Sequence, residues 1–143
     1  MSRPAQPPAP IAAVLAWPGT GLAARLALAS PFAISGVLKL ADWHGAVAEA
    51  GALGVGHPAL IAGATIATQL LGSLLFLSRR LAWLGAGVLA VFTALATLIA
   101  HAFWQAQGAE RAHQMATFFE HVAIIGGFAA AAVLVYQLDR SRS

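Results

Sequence analysis

Four apolar runs, at positions 22–41, 58–77, 81–103 and 118–138, each approach the roughly 20 residues that a helix needs to cross the hydrocarbon of a bilayer. Each holds isolated polar side chains but no run of them. Their ends are marked by Pro58, by Ser78-Arg79-Arg80, and by Tyr136 with Asp139 and Arg140. Lipid offers no hydrogen bonds to the backbone, so such segments must satisfy their own N–H and C=O groups, and an α-helix does this. Composition agrees: 59% of residues are hydrophobic and 9% are charged, with a mean hydropathy of +0.77, where a soluble domain carries about a quarter charged residues. The expected fold is an all-α membrane protein, a four-transmembrane-helix bundle.

Residues 1–21 read differently. Four prolines fall in the first ten positions, and the apolar patch at 11–17 is too short to span and too weakly preceded by charge for a signal peptide. A flexible Pro-rich tail is expected there, touching the interface through Trp17, with residues 22–143 as the membrane domain. If the helices alternate direction, Arg3, Arg25, Arg79, Arg80, Arg140 and Arg142 fall on one side. Lys39 and Arg111 fall on the other, beside Asp42, Glu49, Glu110 and Glu120. The positive-inside rule then places both termini in the cytoplasm, N-in and C-in, and turns loops 42–57 and 104–117 outward. The stretch "DWHGAVAEAGALGVGHP" predicts a short interfacial helix over 42–50 before glycines end it.

Several classes of chemistry are excluded or disfavoured. No cysteine is present, which removes thiolate metal sites and disulfide exchange. The pI near 10.7 comes from dispersed arginines with no basic aromatic stretch, so the charge reads as topology and no nucleic-acid partner is expected. Gly51, Gly54 and Gly56 lack the strand and lysine of a phosphate loop and read as a turn. His113 and His121 stand eight apart, where a helical metal pair needs four, so no metal site is expected.

Polar residues in the spans fall on single faces. Ser35, Lys39 and Asp42 share one face of the first span, with Asp42 within reach of Lys39 for an ion pair. Thr65, Gln69 and Ser73 are four apart on the second; Thr93, Thr97 and His101 are four apart on the third. The fourth opens with Glu120 and His121, which point about 100° apart, and Glu120 is taken as the inward one. With alternating directions, Lys39, His101, Glu120 and His121 come to the outer interface and Gln69 lies deeper, at about 1.5 Å per residue from Pro58. Hydrocarbon favours their gathering into one outward polar pocket of Lys39, Asp42, Gln69, His101, Trp104, Glu120 and His121, with Phe103 and Trp104 as an interfacial lid. The buried Gln69 amide is expected to pair with Thr93 or Thr97. Pro31 is expected to bend the first span and free a carbonyl near Ala27. Gly63 with Ala67, Gly85 with Leu89 and Gly126 with Ala130 offer small-residue surfaces for close helix packing.

The segment "RLALASPFAISGVLKLADW" (25–43) resembles the first helix of DoxX family proteins, with its arginine, a small-residue motif with glycine, then lysine and an acidic residue. "HAFW" from His101 and "FFEHVAIIGGFAAAA" (118–132) resemble the family's third and fourth helices, so the likeness runs over about 25–135. It implies a four-helix protein of the bacterial inner membrane. Relatives include a subunit of thiosulfate:quinone oxidoreductase and a helper protein for methylamine dehydrogenase, which point to redox systems and to quinone without one shared activity. Gln69 stands where the resemblance leads one to expect glutamate, so proton transfer is not expected there.

Three functions are in play. The first is a small membrane subunit of a redox system whose outward pocket binds quinone, the one candidate cofactor, beside a protein partner that brings the metal or flavin. The second is a non-catalytic assembly, maturation or scaffold factor for a membrane or periplasmic partner, with self-association open to either. A carrier or channel is disfavoured because four short spans with few polar residues line little pore. Whether the chain itself catalyses turnover is left open by the sequence.

Overall fold

The computed structural model describes residues 6–78 and 80–140. Its elements are α1 (Ala9–Ala16), α2 (Pro18–Ala41), α3 (Trp43–Ala52), α4 (Pro58–Leu77), α5 (Ala82–Ala100), a 3₁₀ turn (Phe103–Gln105) and α6 (Gly108–Arg140). Helices α2, α4 and α6, and α5 with the turn that follows it, are long and apolar enough to cross a membrane. No strand occurs among the described residues. The four expected spans are therefore present, and α4 keeps its expected limits of 58 and 77.

Local chemistry sets the boundaries. Pro18 and Pro58 each stand at the first position of a helix, where the missing N–H would have had no intrahelical partner. Asp42 caps α3: its Oδ1 accepts from the Gly45 backbone N–H at 2.9 Å. A short helix thus stands where one was expected, starting after its cap Asp42 and ending two residues beyond the expected 50. Two expectations change. Within the expected tail, Ala9–Ala16 is helical though none of it is buried, and α2 starts at Pro18. The expected outer loop 104–117 shrinks to the connection 101–107 because "GAERAHQMAT" is rich in good helix formers and has Glu110 in the first turn, so α6 begins at Gly108. Gly108 enters it at φ +59°, a conformation that glycine adopts without a Cβ penalty. Pro31 does remove the donor for the Ala27 carbonyl, and the Ser30 hydroxyl replaces it at 2.8 Å.

The long helices pack in chain order, α2 on α4, α4 on α5 and α5 on α6, while α2 and α6 touch over a much smaller area. Each contributes one phenylalanine to the centre. Phe32 lies 5.5 Å from Phe128 and 6.3 Å from Phe92, and Phe76 lies 5.1 Å from Phe128, measured between ring centroids. Ala29, Ala86 and Leu89 fill the space around them. Between lipid-exposed helices the hydrophobic effect contributes little, so such ring contacts, at about 0.5–1.5 kcal/mol per pair, and close backbone approach carry the packing.

The closest approach is at Gly85, where a Cβ would sit 2.5 Å from the Phe76 Cα and 2.7 Å from the Leu75 carbonyl carbon. Of the other expected small-residue surfaces, Gly63 faces only the edge of Trp43, and Gly126 is exposed with open space above it. A second cluster of Ala46, Ala50, Ala62 and Ile66 seats α3 on α4.

The end opposite α3 is fastened differently. Arg25 of α2 reaches across to the carboxyl end of α4, where its Nη2 donates to the Phe76 carbonyl and, at 2.7 Å, to that of Ser78. The guanidinium lies 5.4 Å from the centre of the Phe76 ring. Helix ends leave carbonyls without intrahelical donors, and a cation there also meets the negative end of the helix dipole. Arg3, Arg79 and Arg142, also used for the expected orientation, lie outside the described residues.

Candidate functional site

The expected single pocket divides into two polar groups and one isolated amide. In the first, Lys39 pairs with Glu49 of α3 instead of Asp42. Asp42 is committed to the α3 cap, and the cap turns its carboxylate toward Gly45. Asp42 and Lys39 nonetheless line the same open groove of about 850 Å³ between α2 and α3. The Glu49 side chain is 64% exposed, so the ion pair contributes little, about 0.2–1 kcal/mol. Lys39→Ala is accordingly expected to lower thermal stability only slightly, by no more than about 1 kcal/mol in detergent unfolding.

The second group lies where α5 meets the first turns of α6. His121, and not Glu120, faces the bundle: Glu120 is exposed, while His121 Nδ1 lies 2.8 Å from the Thr97 hydroxyl. The His101 ring stands 5.1 Å from that of His121, edge to face. His101 Nδ1 is 2.8 Å from Gln114 Oε1, and Gln114 Nε2 donates to Glu110 at 2.7 Å. Gln114 and His121 are seven apart and Glu110 precedes Gln114 by four, so one face of α6 supplies all three.

Donor and acceptor counts fix the tautomers. The Thr97 hydroxyl has one proton and gives it to the Thr93 carbonyl at 2.5 Å, so it must accept from His121 Nδ1–H. Gln114 spends an amide N–H on Glu110 and turns its oxygen to His101, which therefore also donates from Nδ1. Both rings are left with Nε2 lone pairs, two acceptors on adjacent imidazoles. Phe103, Trp104, Phe118 and Phe119 form an aromatic cluster beside them, with Phe103 5.3 Å from both Trp104 and Phe118.

Gln69 belongs to neither group. It is buried on α4, and its Cβ would meet a side chain placed on Gly36 of α2. Its Oε1 has no hydrogen-bond partner, nor has the Oγ of Ser73 one turn below. The expected threonine partners do not supply one, because Thr93 donates to the Leu89 carbonyl and Thr97 to that of Thr93 on their own helix. No group of three His, Cys, Asp or Glu side chains comes together around a cation position among the described residues.

Four long apolar helices, with the short α3 between the first two and brief connections between the others, and with their polar residues confined to isolated groups, define a small multi-pass membrane protein that contacts the lipid bilayer. The chain belongs to the DoxX family, whose model matches residues 21–102, more than half its length. No curated protein and no solved structure matches it. The matched residues include Arg25, Lys39, Asp42, Gln69 and His101; Trp104, Glu120 and His121 lie beyond them.

Proposed function

We propose that the protein is a membrane subunit associated with a redox system and that it holds a quinone head group at the His101–His121 pair. The observation that carries this reading is the pair of free Nε2 acceptors, each fixed by a hydrogen bond on the opposite side of its ring. Reduced quinone presents a hydroxyl donor on a flat ring, and an imidazole Nε2 of this pair is suited to accept from it. The neighbouring aromatic cluster offers flat apolar surfaces for the ring itself. The electron acceptor or donor then belongs to a partner protein.

Orientation and compartment follow from charge. Arg25 and Arg80 lie at the α4–α5 hairpin end of the bundle, and Arg140 closes α6 toward the same end, which we place in the cytoplasm of a bacterial inner membrane. The histidine pair then opens to the outer face.

Quinone extracted from the detergent-purified protein is expected in near-equal amount to the chain, and His101→Leu or His121→Leu should reduce it about tenfold, the loss of one good hydrogen bond to a desolvated site. Quinone no higher than in the co-purifying lipid, together with no thermal shift on adding a short-chain quinol, overturns the reading. The alternative scaffold function draws support from α6, the longest helix and a sparsely buried one, which presents Phe119, Val122, Val133 and Leu134 outward. A partner protein that stays bound to both Lys39→Ala and His101→Ala would favour it.

A further inference from the structure

We propose that the groove between α2 and α3 is a binding site for a phospholipid with an ethanolamine head group. Its floor is apolar, formed by Pro31, Ile34 and Leu38, and its α3 end is charged, formed by Lys39, Asp42 and Glu49. From Lys39 to Pro31 the helix descends about 12 Å, enough to lay the first half of an acyl chain along it. The Ala27 carbonyl, which Pro31 leaves without its helical donor, is already covered, since the Ser30 hydroxyl donates to it.

Charge selects the head group. One ammonium and two carboxylates give this end a net negative balance, which opposes a purely anionic lipid. A zwitterion answers both signs. Lys39 commits one N–H to Glu49 and keeps two for a phosphate oxygen. Glu49 is mostly exposed and retains free lone pairs, and Asp42 is held in place through one oxygen by the Gly45 N–H, which leaves the other for an ammonium donor. A primary ammonium can donate to both carboxylates. A trimethylated one has no N–H to give and stands farther off.

The full chain, purified in mild detergent and exchanged free of native lipid, is to be offered an equal mixture of phosphatidylethanolamine, phosphatidylcholine and phosphatidylglycerol with identical acyl chains, and its adducts counted by native mass spectrometry. Ethanolamine adducts are expected to exceed each of the other two by about tenfold, the worth of a charge-assisted hydrogen bond. In the double variant Asp42→Asn/Glu49→Gln the preference should fall to the choline level, while asparagine still caps α3. Thr68→Val, in the apolar groove on the α4–α5 face, should keep it. Equal retention of the three lipids, a preference for the glycerol or choline head group, or an unchanged ethanolamine preference in a folded double variant each overturns the proposal. Should the double variant fail to fold, the competition on the wild-type chain decides alone. The groove shares no residue with the histidine pair, so this result and the quinone result are separable.

Discussion

Gly85→Ala is expected to destabilise the bundle by about 2 kcal/mol, although helix propensity alone would favour alanine by about 1 kcal/mol. The propensity gain is outweighed because the new methyl group would run into the α4 backbone at Leu75 and Phe76, and main-chain atoms cannot swing aside as a side-chain tip does. Overpacking of this kind costs up to about 3 kcal/mol. The readout is loss of helical circular dichroism on heating in detergent, or on titration with a denaturing one. Gly87→Ala supplies the contrast: it is exposed, a Cβ there meets nothing, and it should be neutral or slightly stabilising. Equal stability of the two variants would show that α4 and α5 do not approach as closely as described.

Arg25→Ala is expected to cost about 3 kcal/mol, more than any other single charge removal. Two hydrogen bonds from a cation to helix-end carbonyls are lost, each worth about 1.5–3 kcal/mol, and the carbonyls of Phe76 and Ser78 are left without that donor. The buried Nε of Arg25, which has no partner, offsets part of this total because its desolvation is no longer incurred. Arg25→Lys should recover about half of the loss, since a lysine keeps the charge but not the planar fork that spans two acceptors. Arg80→Ala, on the exposed hairpin, serves as the control and should move stability by less than about 0.5 kcal/mol. If Arg25→Ala and Arg80→Ala behaved alike, the role of Arg25 would reduce to a topological charge.

What could be read from the sequence and what could not divide along one physical line. The spans were legible because hydrocarbon thickness fixes their length, and Pro58 and Asp42 announce helix starts by chemistry that acts within a few residues. From the sequence, Arg25 reads as a topological charge and a family mark; that it ties α2 to α4 depends on where another helix ends. The choice between Glu120 and His121 turns on the rotation of α6 about its axis. That rotation is set by the short Phe103–Gln105 turn and the aromatic cluster it packs into, and neighbouring residues 100° apart carry no sign of which one wins. Gln114 and Glu110 had a usable signal, the spacings of four and seven that align them with His121, but a loop was expected where α6 already runs. Lys39 had two carboxylates in reach, and Asp42 had a competing use as a cap. The idea of one shared pocket failed for a related reason: Thr93 and Thr97 can satisfy themselves against their own helix, so nothing forces them toward Gln69.

The order in which the helices touch bears on how the chain assembles after insertion. Each long helix has its main neighbour next along the chain, so a lengthening polypeptide can add one hairpin arm at a time with small loop-closure cost. The junction of Leu28 and Phe32 with Gly127 and Phe128 connects the first arm to the last, and it cannot form until the final segment has entered the bilayer. That junction acts as a clasp. A chain truncated before residue 118 should insert and keep its first three arms in register, yet leave Phe32 facing acyl tails, a ready signal to quality-control proteases that synthesis stopped early.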